Sequence, residues 1–251
     1  MFCSGMAAGG NAKDRPQNQA APVHSAQAGG YQPEAGSTEE KRRQGKWAIT
    51  PDPNLPNVLL IGDSISMGYT LHVRRLLAKK ANVFRPSENC QGTTHGLKRI
   101  DEWLKGHRWD VIHFNWGLHD LKHVDPKTGK NSNSFSDPQQ ASPEQYRKNL
   151  TILVEKLKAT GARLIFATTT PFPEGVKPAR KPEDAKRYNA IALEIAKANG
   201  IRINDLYSLV LPRLKELQKP RNVHFKVNGY KLMAKQVAQV ISEELAKKGK
   251  H

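Results

Sequence analysis

The stretch NVLLIGDS, from Asn57 to Ser64, runs from consecutive bulky apolar residues into a glycine, an aspartate and a serine. An aliphatic run without polar alternation is typical of a strand buried on both faces, as the strands of a parallel sheet are. The run predicts a strand over Asn57–Asp63. Because ligands bind beyond the carboxyl ends of parallel strands, the pattern puts Ser64 at the ligand-binding edge of the predicted sheet.

Downstream of Ser64, helical and strand-like patterns alternate along the chain. Further strands are predicted at 82–85, 110–116, 163–168 and 201–204, and helices at 70–80, 97–104, 142–160, 183–198 and 229–247. The helix at 142–160 has the clearest ends, with Ser142 at its N-cap, Pro143 in its first turn and Gly161 after its last. Strands that alternate with helices predict an α/β fold, a three-layer α/β/α sandwich around a five-stranded parallel sheet.

Residues 1–46 differ from the rest of the chain in composition. They are rich in Gly, Ala, Gln, Ser and Pro and have almost no bulky aliphatic residues, so they cannot offset the entropy lost on ordering. We predict a disordered tail at 1–46 and one folded domain at 47–251. The tail lacks the basic start and the apolar core of about 7–15 residues that mark a signal peptide. It is either the remainder of a processed export segment, which favours a secreted or periplasmic protein, or a cytoplasmic extension.

The chain has 40 Lys and Arg against 23 Asp and Glu, a formal charge of +17. Such an excess is typical of proteins that bind nucleic acid or another anionic polymer. The basic residues are nevertheless scattered over helix faces, as at 74–75, 79–80 and 247–250, and are not interleaved with aromatic residues. This pattern favours a solvated basic surface, so we expect no nucleic-acid partner. No run approaches the roughly 18 apolar residues of a membrane span.

The sequence offers few groups for a disulfide, a cofactor or a metal. With only Cys3 and Cys90, and Cys3 in the predicted tail, we expect no disulfide. No glycine-rich nucleotide-binding motif is present. His95, His113 and His119 do not have the spacing of a zinc site. We therefore expect no cofactor and no metal.

Four separate segments bring polar groups to the predicted ligand-binding edge. Ser64 follows the first strand, the polar loop at 89–96 follows the second, and the residues 117–120 follow the third. His224 lies shortly before the last helix. A serine beside a histidine can act as a nucleophile with its general base, although Ser64 taken alone also fits a helix N-cap.

Taken in order, these segments resemble the SGNH hydrolase superfamily, the GDSL-type esterases. The corresponding blocks read Gly62-Asp63-Ser64, Gly92, Gly117-Leu118-His119-Asp120 and Arg221-Asn222-Val223-His224. The resemblance covers 57–245 and implies the flavodoxin-like fold of that superfamily. It implies that Ser64 is the nucleophile and His224 the base. It also implies an oxyanion hole formed by the backbone N–H groups of Ser64 and Gly92 with the side chain of His119.

Two positions depart from the pattern of the superfamily. His119 stands where asparagine is usual, and a neutral imidazole can still donate one N–H to an oxyanion. The acid expected three residues before the base is replaced by Arg221, which is followed by Asn222. Asn222 could orient His224 without neutralising it, and Asp205, after the fifth strand, could supply the missing acid. Asp205 also fits a capping or turn residue.

The resemblance implies a cofactor-independent ester hydrolase that forms an acyl-enzyme on Ser64. Its substrate would be a small ester, for which an acetyl group on a carbohydrate is one candidate. The missing acid leaves open a weakened relative that binds a polysaccharide or another anionic ligand. The basic surface leaves open a binder of anionic polymers with a vestigial site. The sequence does not indicate an oligomeric state.

Overall fold

The computed structural model describes residues 45–247. Its sheet consists of five parallel strands in the order β2-β1-β3-β4-β5. The strands are β1 (Asn57–Ile61), β2 (Asn82–Phe84), β3 (Val111–Phe114), β4 (Arg163–Ala167) and β5 (Arg202–Asn204). The direction in which strands are added reverses between β1 and β3, so the switch point of the sheet lies beside Ser64. The predicted five-stranded parallel sheet is confirmed.

Helices connect the strands and cover both faces of the sheet. They are α1 (Ser64–Leu76), α2 (Thr93–Leu104), α3 (Pro143–Lys158), α4 (Pro182–Ala198), α5 (Leu206–Val210), α6 (Leu214–Leu217) and α7 (Val227–Ala246), with a 3₁₀ turn at Leu211–Arg213. Right-handed crossovers put α1 on one face, where it packs against α7, and the row α2, α3 and α4 on the other. The three-layer α/β/α architecture is therefore confirmed.

Two helices begin at least four residues earlier than the sequence predicted. Helix α1 begins at Ser64 and not at residue 70, because the Asp63 side chain caps it by accepting a hydrogen bond from Ile65 N at 2.8 Å. Helix α2 begins at Thr93 and not at residue 97. Gly96, which suggested a loop, lies inside α2, where the Trp116 ring is so close that a Cβ on residue 96 would meet it at 3.0 Å. The residues 206–217, for which no element was predicted, are helical.

Close packing joins the helix that begins at Ser64 to the helix that follows His224. A Cβ on Gly68 of α1 would lie 2.1 Å from Cε1 of Tyr230 in α7, so the backbone of α1 lies directly on that ring. This contact fixes the distance between the two helices, and with it the separation of their N-terminal ends.

The segment before β1 packs on the same part of the domain. Trp47, in a short helical turn at 45–47, is buried, and the Arg85 guanidinium lies 4.7 Å from the centre of its ring. Residues 45 and 46, which the predicted tail included, thus belong to this turn, while the first 44 residues of that tail lie outside the described residues. None of the helices found within 45–247 combines the length and apolar character needed to cross a membrane.

Candidate active site

Ser64 and His224, 160 residues apart in the chain, form a hydrogen bond at the carboxyl edge of the sheet. The distance between Ser64 Oγ and His224 Nε2 is 2.8 Å. Ser64 is the first residue of α1, directly after β1, and His224 lies in the loop that leads into α7. The arrangement joins a hydroxyl to a ring nitrogen that can accept its proton.

Asn222 holds the other side of the His224 ring. Its Oδ1 is 2.8 Å from His224 Nδ1 and also accepts the backbone N–H of His224 at 2.9 Å. Because the backbone N–H requires an acceptor, the amide turns its oxygen, not its nitrogen, toward the ring. Nδ1 therefore carries the proton and Nε2 presents a lone pair to Ser64, which is the tautomer that a general base needs.

Asp205, the other candidate for the missing acid, and Arg221, at the position where the acid is expected, form no hydrogen bond with His224 among the described residues. Asp205 caps α5, where its Oδ1 accepts hydrogen bonds from Ser208 N at 3.1 Å and from Thr168 Oγ1 at 3.0 Å. Asp205 is thus a capping residue, the alternative considered for it, and Asn222 occupies the place beside Nδ1. Arg221 is exposed, has a left-handed backbone conformation with φ 50°, and its Nε comes within 3.9 Å of a Cβ built on Gly175.

The strand end before Ser64 is held by buried charged groups. Burial raises the pKa of the Asp63 carboxyl, and Arg180 and Arg85 partly counteract that effect. Arg85 is itself buried and donates hydrogen bonds to Ser66 Oγ at 3.1 Å and to Gly62 O at 3.3 Å. These contacts tie β1, the first turn of α1 and the loop after β2 into one unit around the nucleophile.

The N-terminus of α2 is fixed by Asp120, the last residue of the third sequence block. Asp120 accepts hydrogen bonds from Thr93 N at 2.8 Å and from Thr93 Oγ1 at 2.5 Å. Gly92, the residue before Thr93, leaves no space for a side chain, because a Cβ there would lie 3.0 Å from Asp120 Oδ1. Ser64 is the first residue of α1, and Gly92 is the N-cap residue of α2. Their backbone N–H groups have no hydrogen-bond partner within residues 45–247.

His119 is a neutral group in the loop after β3, close enough to His224 for the two rings to affect each other's charge. Burial, with contributions from Lys122 and Arg180, lowers the pKa of His119 to about 3. Its Nδ1 is buried and has no hydrogen-bond partner among the described residues. A neutral imidazole has one N–H to donate, so Nε2 is the nitrogen left for that purpose.

The chain matches a known protein family over most of its folded part. The model of the GDSL-like lipase/acylhydrolase family matches residues 60–232. The chain belongs to this family. The resemblance to SGNH hydrolases that the sequence blocks indicated is thereby confirmed. No curated protein sequence matches the chain.

Solved structures share the fold of this GDSL-family chain. A lipase/acylhydrolase from Enterococcus faecalis is 21% identical, with a TM-score of 0.62 over 75% of this chain and 96% of its own. An acetyl xylan esterase is 16% identical, with a TM-score of 0.60 over 74% and 99%. A variant of an acetylxylan esterase from Geobacillus stearothermophilus is 18% identical, with a TM-score of 0.60 over 74% and 94%. At these identities the similarity is one of fold.

The GDSL-family site contains cationic side chains that the sequence blocks did not reveal. Burial lowers the pKa of His224, and Lys219 and Arg180 lower it further. Arg180 is buried in the loop after β4, where its Nε donates to Leu118 O at 2.9 Å. The rule that ligands bind beyond the strand ends pointed to this loop, since it follows a strand, but nothing in the sequence distinguishes Arg180 from its basic neighbours.

Two other side chains near the site have structural roles. Cys90 is buried without a disulfide, and burial raises the pKa of its thiol to about 12. His113, inside β3, is 3.0 Å from Asn204 Nδ2 through its Nε2, and burial lowers its pKa to about 4. Both groups are therefore uncharged inside the core at neutral pH.

Proposed function

We propose that this chain is a cofactor-independent serine ester hydrolase that works through an acyl-enzyme. The observation that carries the proposal is the continuous hydrogen-bonded series from Ser64 Oγ to His224 Nε2 and from His224 Nδ1 to Asn222 Oδ1, both at 2.8 Å. Membership of the GDSL-like lipase/acylhydrolase family supports the same reaction class.

In the first half of the reaction, Ser64 Oγ attacks the carbonyl carbon of the ester while its proton passes to His224 Nε2. The tetrahedral intermediate collapses, the bond to the alcohol oxygen breaks, and His224 gives its proton to the departing alcohol. An acyl group is left on Ser64. In the second half, His224 takes a proton from water as the water oxygen attacks the acyl carbon. The bond between the acyl carbon and Ser64 Oγ then breaks, His224 returns the proton to Oγ, and the acid leaves.

The negative charge of the tetrahedral intermediate requires donors that are not used elsewhere. The unpartnered N–H groups of Ser64 and Gly92 stand at the N-termini of α1 and α2, where the helix dipole favours an anion. The neutral His119 supplies a third donor. Because its pKa is low, His119 stays neutral near neutral pH and can keep this role.

Asn222 replaces an acid as the group that orients the base. Its amide keeps His224 in the productive tautomer but does not neutralise the imidazolium that forms during attack. Lys219 and Arg180 add positive charge near the same ring. The uncharged amide and the two cations both favour the neutral form of His224, so the base is deprotonated at lower pH. Both also raise the free energy of the imidazolium that forms in the transition state.

The substrate we propose is a small ester, with an acetyl group on a carbohydrate as the leading candidate. The fold similarity to two acetylxylan esterases supports this choice. The alternative is a relative that binds its ligand without turning it over, and the observation in its favour is the amide at position 222 in place of a carboxylate.

A fluorophosphonate probe separates the two functions, because it labels only a serine whose hydroxyl is activated by a base. We expect the wild type to be labelled and to hydrolyse p-nitrophenyl acetate, and Ser64→Ala to lose both properties. The unfolding free energy of Ser64→Ala should stay within about 1 kcal/mol of the wild type, since the hydroxyl is partly exposed.

Ser208→Ala is the matched control, since Ser208 is an exposed serine after β5 whose backbone N–H caps onto Asp205, outside the Ser64–His224–Asn222 series. It should label and hydrolyse as the wild type does. A wild type that folds but neither labels nor turns over the ester would favour the binding protein.

A further inference from the structure

Two cationic side chains approach the Ser64–His224 pair from the loops next to it. Lys219 lies opposite His224 in a short antiparallel bridge, where its N–H donates to His224 O at 2.9 Å. Lys122 follows the third sequence block, and its N–H donates to His119 O at 3.4 Å. Lys219 is exposed and Lys122 is half-buried, and each lowers the pKa of the histidine that its backbone contacts.

A third cation lies beneath them. Arg180 is buried and donates hydrogen bonds to Leu118 O at 2.9 Å and to Pro178 O at 3.2 Å. Its charge reaches both histidines of the site, because it helps to lower the pKa of His119 and the pKa of His224. All three cations therefore act on the two histidines of the site.

Acidic residues do not pair with these cations. Within residues 45–247, Lys122, Arg180 and Lys219 form no ion pair. Asp63 and Asp120 are buried and accept hydrogen bonds from the N-terminal turns of α1 and α2. Asp63 offsets part of the charge of Arg180 and Asp120 part of that of Lys122, without a direct ion pair. The positive field of the site is therefore only partly offset within residues 45–247.

The opposite edge of the sheet shows the contrasting arrangement. A cavity of about 610 Å³ there is also lined by basic side chains, including Arg163, Arg202 and Lys247. Arg202 pairs with Glu243 and Glu244, and Lys247 pairs with Glu244. Two of the basic side chains at that cavity thus form ion pairs with carboxylates, whereas the three cations near Ser64 form none among residues 45–247.

Resting on the proposed ester hydrolysis, we propose that the substrate carries an anionic group, a carboxylate or a sulfate, close to the ester that Ser64 attacks. Lys122, Lys219 and Arg180 together would attract an anion at this position, and their field would raise the local concentration of an anionic substrate. The anion would also offset the positive field that opposes protonation of His224. It would thereby stabilise the imidazolium, as a carboxylate at position 222 would do. A carbohydrate acetyl ester of this class would be built on an acidic sugar.

The test compares two acetyl esters that differ in charge, 4-acetoxybenzoate and 4-acetoxybenzamide. The ratio of their kcat/KM values, each divided by the rate of alkaline hydrolysis of the same ester, removes differences in intrinsic reactivity. For the wild type we expect the anionic ester to be favoured by about 3–10-fold at low salt. The preference should shrink as ionic strength rises from about 0.02 to 0.5 M, because salt screens partly exposed charges.

The double variant Lys122→Gln/Lys219→Gln should lose most of this preference. Lys158→Gln/Lys197→Gln is the control, since both exposed lysines lie in the last turns of α3 and α4, at the opposite edge of the sheet from Ser64, and the double change removes the same two charges. It should keep the wild-type ratio. A normalised ratio near one that does not respond to salt, with both esters hydrolysed, overturns this inference and leaves the ester hydrolase standing. If neither ester is hydrolysed, this inference and the proposed ester hydrolase are both overturned.

Discussion

The two halves of the Ser64–His224 pair are held in different ways. On the nucleophile side, Asp63 and Arg85 are buried side chains that tie several chain segments together behind Ser64. On the base side, the loop at 218–226 is largely held by its own short-range bonds, such as those from His224 to Asn222 and from Lys219 to His224. A change on the first side disturbs many partners, whereas a change on the second disturbs few.

This difference parallels one of the two departures from the usual pattern of the superfamily. The Gly62-Asp63-Ser64 block is intact on the nucleophile side, whereas the acid is replaced on the base side, where Arg221 is exposed and Asn222 lies beside the ring. We infer that the exposed positions of the base loop, such as 219 and 221, tolerate substitution, whereas its buried Val223 and Phe225 belong to the core. Four predictions test that contrast, ordered by the size of the expected effect.

Arg85→Met should cause the largest loss of stability. It removes a buried guanidinium from Ser66, Gly62 and the Glu88 carbonyl, and it leaves Asp63 with one fewer compensating charge. Breaking a buried charged network typically costs about 3–5 kcal/mol, which urea denaturation would measure. Lys219→Met, the same kind of change in the base loop, should stay within about 0.5 kcal/mol of the wild type. Similar losses for both variants would remove the contrast.

His119→Ala should come next, as a loss of rate with little loss of stability. Removing one oxyanion donor typically lowers kcat by about 10²–10³, with KM little changed, because the interaction strengthens in the transition state. His119→Asn should keep much of the activity, since its amide also donates. Steady-state kinetics and melting temperatures of both variants decide the matter. Equal losses of kcat for Asn and Ala would contradict the oxyanion role, and a lower melting temperature alone would indicate packing.

Asn222→Asp should shift the pH dependence by a smaller amount. The folded pKa of His224 lies below its usual value, so the base is deprotonated, and kcat/KM is maximal, from below neutral pH upward. A carboxylate 2.8 Å from Nδ1 favours the imidazolium and raises that pKa, so the acid limb should move to higher pH by about one unit or more, with a faster plateau. Asn222→Ser, which keeps an acceptor without charge, is the control and should not move the limb upward. An unchanged limb in Asn222→Asp would show that position 222 does not govern the base.

The sequence predicted the fold better than it predicted the surroundings of the base. Aliphatic runs and caps such as Ser142 are local signals, so β1 and α3 were found close to their observed bounds. The start of α2 was missed because Gly96 suggests a loop. Glycine is needed at this position because the Trp116 ring packs against it, and Trp116 belongs to a distant segment of the chain. The choice between Asp205 and Asn222 depended on the turn that Arg221 makes with positive φ, which no side-chain pattern encodes.

Arg221→Gly should have the smallest effect and the opposite sign. A non-glycine residue in the left-handed region costs about 1 kcal/mol or more, which glycine avoids, while glycine loses about 0.4–1 kcal/mol through the entropy of the unfolded chain. The net change should be a gain of up to about 1 kcal/mol in the free energy of unfolding, with the distance from Asn222 to His224 and the hydrolysis rate preserved. Lys219→Gly, in the same exposed loop but without a positive φ, isolates the entropic part and should lower stability. Arg221→Ala keeps the strained backbone and should leave stability near that of the wild type. If Arg221→Gly is instead destabilised as much as Lys219→Gly, position 221 carries no strain, and the outward turn that brings Asn222 to the ring must be stabilised by the Arg221 side chain itself.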